Sequence, residues 1–131
     1  MAAFSDYLEN ELLDHALGTA AYTAPSAVYV ALATASFSDA NTTSNEVSTS
    51  GTAYARQSAT FAAASSGSAA TSATITFPTA TANWGTITHF GIYDASTAGN
   101  LLYHGALTSS KVINNGVTFE IQSGNLTVSH D

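Results

Sequence analysis

The stretch Thr86-Ile-Thr-His-Phe-Gly-Ile-Tyr93 decides how this chain is read. Its large side chains fall on both faces of an extended strand, Phe90 and Ile92 on one and Ile87 and Tyr93 on the other. Bulk on both faces places a strand between two packed layers, so this one is predicted to be central. Around it the pattern is a cleaner period of two. Val28, Val30 and Leu32 point one way with Tyr29 and Ala31 opposite, while Ala73, Ile75 and Phe77 oppose Thr74 and Thr76. Val117, Phe119 and Ile121 likewise oppose Thr118, Glu120 and Gln122. Such alternation marks strands with one buried face.

Tyr54–Phe61 alternates weakly, and Leu101–Leu107 follows the turn-rich Asp94–Asn100. Asn115-Gly116 predicts a hairpin joining Val112-Ile113 to Val117-Thr118, because both turn residues tolerate positive φ. Ser123-Gly-Asn125 turns the chain into a last strand, Leu126–Ser129. About seven or eight short strands make the body mainly β, an antiparallel, jelly-roll-like β-sandwich over residues 26–131. Ser36–Gly51 and Ala62–Ser72 are long polar connections, read either as arms reaching a neighbour or as poorly ordered surface loops.

Upstream of the β body the period changes. Phe4, Leu8, Leu12 and Ala16 recur at helical spacing, predicting one amphipathic N-terminal helix over residues 4–17. Asp6 is its expected cap, with Glu9 as the box partner, and Gly18 its left-handed stop. The apolar face either packs under a sheet or docks on a neighbour.

With 131 residues the chain is a single domain. A net charge of -7 with only two basic residues excludes a phosphate-binding surface, so neither nucleic acid nor anionic membrane is an expected partner. Charged residues are 8% of the chain, against roughly 25% in ordinary domains. Ala, Thr and Ser dominate instead, and side chains this short lose little entropy when another subunit covers them. A homo-oligomer, dimer or trimer, is expected. The absence of Cys removes disulfides, thiol nucleophiles and Cys-ligated zinc. No basic-apolar leader stands at the N-terminus, and the apolar run Ala27–Ala33 is far short of the roughly 20 residues of a membrane helix, so a soluble chain without a classical export signal is expected.

Chemistry-bearing residues are few. His89 and His104, flanking the Asp94–Asn100 turn, offer two metal ligands with Asp94 as a third, but zinc takes three or four; two hydrogen-bonded histidines on a crowded sheet face are the expected reading. Asp39, Asn41 and Glu46 form an oxygen-rich loop, but Ser44 and Ser50 stand where an EF-hand needs Gly and Glu. Glu46 and Glu120 are the only carboxylates considered for glycoside hydrolysis, and Glu120 lies on the polar face of its strand. Tyr54, Trp84, Tyr93 and Tyr103 supply rings for stacking on a sugar or for packing. No nucleophile elbow, phosphate loop or dinucleotide fingerprint occurs, so no enzyme, cofactor or metal is expected.

Phe4-Ser-Asp-Tyr-Leu-Glu-Asn-Glu-Leu-Leu-Asp-His15, Tyr22-Thr-Ala-Pro25 with Val28-Tyr-Val30, and Phe77-Pro78 through Trp84-Gly-Thr-Ile-Thr-His89 to Asp94, Gly99-Asn-Leu-Leu102 and Gly105-Ala-Leu107 together resemble a family of small tailed-bacteriophage virion proteins, often labelled tail-fibre or hypothetical virion proteins. The resemblance implies a non-enzymatic structural part of the virion. The composition suits a capsid decoration or cement protein bridging capsomers on the capsid exterior, with the major capsid protein or neighbouring virion proteins as partners. The alternatives are a tail or tail-fibre part and a sugar-binding module in host attachment. Phe4, Leu8, Leu12 and Trp84 are the candidate interface residues.

Overall fold

The computed structural model describes residues 3–40 and 45–130. In chain order the elements are β1 (Ala3–Phe4), α1 (Asp6–Ala16), β2 (Val28–Ala33), β3 (Gln57–Ala59), β4 (Ser68–Ala70), β5 (Ile75–Thr76), β6 (Gly85–Tyr93), β7 (Leu101–Ile113), β8 (Glu120–Ile121) and β9 (Thr127–Ser129). One layer is a five-stranded antiparallel sheet in the order β1-β7-β6-β2-β3. Two antiparallel ribbons, β4-β9 and β5-β8, supply the apolar residues that face it. The mainly β, antiparallel body with one N-terminal helix is what the alternation predicts, and β6 is indeed the middle strand.

The main core joins Val30, Leu32 and Ile92 of the sheet to Ile75, Phe77, Phe119 and Val128 from the ribbon side. A smaller cluster of Ala31, Ala33, Phe37, Tyr93 and Leu101 covers the sheet's other face. Ile87 departs from the simple alternation: it lies in the main core with Phe90 and Ile92, not with Tyr93. The cause is an irregularity between Ile87 and His89, where Ile87 pairs with Lys111 but His89 pairs with Ala106. Residues 107–110 of β7 bulge opposite Thr88, and the side chains beyond change face.

A second irregularity, between Ile92 and Tyr93, leaves Leu102 as an extra residue in β7. The carbonyls beside it hold the helix. Ser5 N–H donates to the Leu102 carbonyl at 2.9 Å and Ser5 Oγ donates to that of Leu101, while the same Oγ accepts from Leu8 N–H at 3.2 Å. Ser5, fully buried, is therefore the cap instead of Asp6. A neutral hydroxyl both donates and accepts in this site, whereas a buried carboxylate would only accept and would carry a desolvation cost. The helix begins later than expected because Phe4 pairs with Tyr103 in β1. It ends as expected at a left-handed Gly18, φ +79°.

The Asn115-Gly116 turn forms, but not as the expected hairpin between paired strands. Val117 N–H bonds to the Asn114 carbonyl at 3.0 Å, and only Gly116 has positive φ, the signature of a type II turn. The chain leaves β7 there and crosses to the ribbon side, where Ala80 N–H and Phe77 N–H bond to the carbonyls of Val117 and Phe119. The described parts of the two polar stretches also belong to the body, residues 41–44 lying outside the described residues. Glu46 bridges Ala33, Val47 N–H bonds to Leu32, and β4 sits inside Ala62–Ser72.

Candidate functional site

The densest polar cluster forms around the chain's single Arg. Arg56 grips Glu46 with two parallel bonds, Nε to Oε2 and Nη2 to Oε1, each 2.9 Å. Its Nη1 donates to the carbonyls of Ala95 at 3.1 Å and Ala98 at 2.8 Å, and the guanidinium lies 3.6 Å from the Tyr93 ring centre. Tyr54 Oη donates to Glu46 Oε2 at 2.6 Å and accepts from Leu32 N–H at 2.9 Å. Burial, with the Glu46 carboxylate adding to it, pushes the Tyr54 phenol far above its ordinary range. Burial likewise pushes the Tyr93 phenol up to about 12, with Arg56 opposing. The arrangement ties four separate segments together, at Leu32, Glu46, Tyr54–Arg56 and Tyr93–Ala98. Both members of the ion pair are held by fixed partners on other segments.

The other chemistry-bearing residues do not converge. His89 shares a hydrogen bond with Thr88, His104 Nε2 donates to Asp39 at 2.5 Å, and both Asp94 oxygens accept from Asn100. Among the described residues no cluster of three or more His, Cys, Asp or Glu side chains is placed to hold a metal. In the acidic loop Asp39 faces His104 and Glu46 faces Arg56, while Asn41 lies outside the described residues. Glu120 is exposed and accepts from Thr76 at 2.9 Å, whereas Glu46 is engaged by Arg56 and Tyr54.

Burial decides between the two roles of the aromatic rings, and for Trp84, Tyr54 and Tyr93 it decides for packing. Trp84 is 5% exposed, packs edge-on against Tyr54 and donates Nε1–H to the Thr52 carbonyl at 2.8 Å. Tyr54 and Tyr93 are buried too, and Tyr103 is half-buried, its hydroxyl 2.5 Å from His130 Nε2. Three of the four rings are thus taken up by the chain's own core.

Of the candidate interface residues, Leu8 and Trp84 are buried within this chain, Leu12 is half-buried, and Phe4 packs against Tyr103 and His130. The helix and its C-cap instead expose Leu13 and Leu17, at 58% and 75%, a pair one turn apart that the sequence pattern groups with the helix's apolar residues. Val112 on β7 is 59% exposed.

Two pockets open among the described residues. One, of about 250 Å³, is apolar and lies between Ile92, Leu102 and Tyr103 of the sheet and Ala69, Val128 and His130 of the β4-β9 side. The Leu102 bulge contributes two successive side chains to it. The other, of about 360 Å³, lies between β7 and β8 and is lined by Lys111, Glu120, Gln122 and Asn125 above Phe119.

No curated protein matches the chain. A family model described as podophage GP4 fiber I protein gp80 matches residues 3–129, from β1 through β9. A match over nearly the whole described fold makes this chain a member of the podophage GP4 fiber I protein gp80 family, and with it a structural component of a phage virion.

Proposed function

We propose that the chain is a non-catalytic building block of a podophage fibre, joined to copies of itself or to neighbouring virion proteins through uncharged surface. The family's description as a fibre protein carries this reading and favours the fibre over the capsid exterior anticipated from composition. The placement of charge on the β body supports it, since Arg56 and Glu46 are largely buried against each other and four of the other carboxylates, Asp6, Glu9, Glu11 and Asp14, are gathered on α1. Exposed Leu13 and Leu17 are the natural contact groups, because fully burying one leucine is worth about 1.5–3 kcal/mol. A subunit that binds only the assembled structure stabilises it by that binding free energy, and repetition around an oligomer multiplies the effect.

The test is to label purified particles with antibody against this chain and to measure its copy number by gel densitometry. Label confined to the tail region, with far fewer copies than the major shell protein, is expected. Label over the whole shell at comparable copy number would overturn the fibre assignment in favour of a cement.

A further inference from the structure

We infer that the apolar pocket between the sheet and the β4-β9 ribbon is a binding site for a small uncharged aromatic molecule, of indole size and with one polar group. The pocket exists because its walls differ in bulk. The sheet side brings Ile92, Leu102 and Tyr103, while the opposite side brings only Ala64, Gly67, Ser68 and Ala69, and about 250 Å³ is left between them. Gly67 is fixed at its small size: its φ is +75°, and a Cβ there would stand 2.8 Å from the His130 carbonyl oxygen. The two backbones meet at that point, so no side chain of residue 67 fills the space. Ile92 and Leu102 are themselves buried, which gives the pocket depth.

Size, charge and polarity each narrow the ligand. An apolar cavity of about 150 Å³ takes one benzene, so about 250 Å³ has room for roughly ten heavy atoms. The lining carries no carboxylate, ammonium or guanidinium. A charged ligand would shed its hydration there with no ion to replace it. Polar groups are few: the Ser68 hydroxyl, which makes no side-chain hydrogen bond among the described residues, and the Tyr103 and His130 pair, 2.5 Å apart. They suit a ligand with a single donor or acceptor and carbon over the rest of its surface. Phe61, Tyr103 and His130 bring three rings to one recess, which favours a flat aromatic ligand over an alkyl chain. Water in such a recess has few partners, and an apolar group that displaces it gains affinity. The inference goes beyond the fibre role and does not rest on it: a chain that binds no such molecule leaves the fibre reading standing.

The experiment follows backbone amide shifts of the intact protein by NMR during titration with indole and 4-ethylphenol, with anionic indole-3-acetate and aliphatic 1-octanol for contrast. At least one of the two neutral aromatics is expected to shift the amides of Ser68, Ala69, Tyr103 and Val128, with a midpoint of about 0.1–3 mM. Ala69→Leu puts a larger side chain into the recess and should weaken that binding by about tenfold or more. Ala64→Leu, at an exposed position of the same lining, should weaken it as well with an unchanged thermal midpoint, which separates a filled pocket from a damaged fold. No saturable shifts from either neutral aromatic, shifts centred outside the pocket, undiminished binding in both variants, or tighter binding of indole-3-acetate or 1-octanol would each overturn the assignment.

Discussion

Replacing Arg56 by Met should be among the most damaging single changes available in this protein. The substitution keeps the length of the side chain and removes its charge, leaving the Glu46 carboxylate, only 12% exposed, with the Tyr54 hydroxyl as its remaining donor. It also strips the carbonyls of Ala95 and Ala98 of their donor and lifts the cation from the Tyr93 ring. Removing one partner of a buried pair costs about 3–5 kcal/mol, a large part of the roughly 5–15 kcal/mol that holds a domain folded. The second half of the cycle separates the stranded charge from the lost packing. Glu46→Gln keeps an acceptor for Tyr54 but carries no charge, so Arg56→Met combined with Glu46→Gln should be more stable than Arg56→Met alone. Urea denaturation followed by fluorescence of the single tryptophan, Trp84, reads both, because that ring is buried in the core. An Arg56→Met protein within about 1 kcal/mol of wild type, or a double variant less stable than Arg56→Met, would show that no buried charge is stranded.

Ser5→Ala should cost about 1–3 kcal/mol by removing the cap and the buried donor to Leu101, and amide exchange should rise in the first turn of α1 while β6 stays protected. Alkaline pH should destabilise the fold. The Tyr93 phenol is raised from 10.0 to about 12 in the folded chain, and that of Tyr54 is raised as well, so their contribution is whole below pH about 10 and is lost as pH climbs through the folded values. Near pH 12 the loss from Tyr93 alone is about 2 kcal/mol, visible as a lower urea midpoint.

What the sequence disclosed follows from how local each signal is. β2 and β6 are legible because their side chains alternate against a packed layer, and α1 because its leucines recur at helical spacing ahead of Gly18. β1 and β4 are not. Ala3–Phe4 and Ser68–Ala70 carry too little apolar contrast, and they exist through backbone bonds to the distant strands β7 and β9. The capping error has the same origin: Asp6 and Ser5 fit a local motif about equally, and carbonyls far along the chain decide between them. The Arg56 cluster left one readable trace, a lone arginine in an almost uncharged chain, two residues after Tyr54. Its partner Glu46 was visible, but was weighed only as a calcium ligand or a catalytic acid. The β7–β8 groove left none, since it arises from a register change that no single strand encodes.

The pairing of β4 with β9 sets a clock on biosynthesis. Ser68 finds its partner at Ser129, about sixty residues later, an interval of about 3–12 s at ordinary elongation speeds. Throughout that time the growing polypeptide holds a half-built interior, with Phe77, Ile87 and Ile92 already made and Phe119 and Val128 still to come. A premature stop anywhere before the final ribbon therefore yields a sticky fragment instead of a smaller working part, and quality control in the infected cell has seconds in which to act on it.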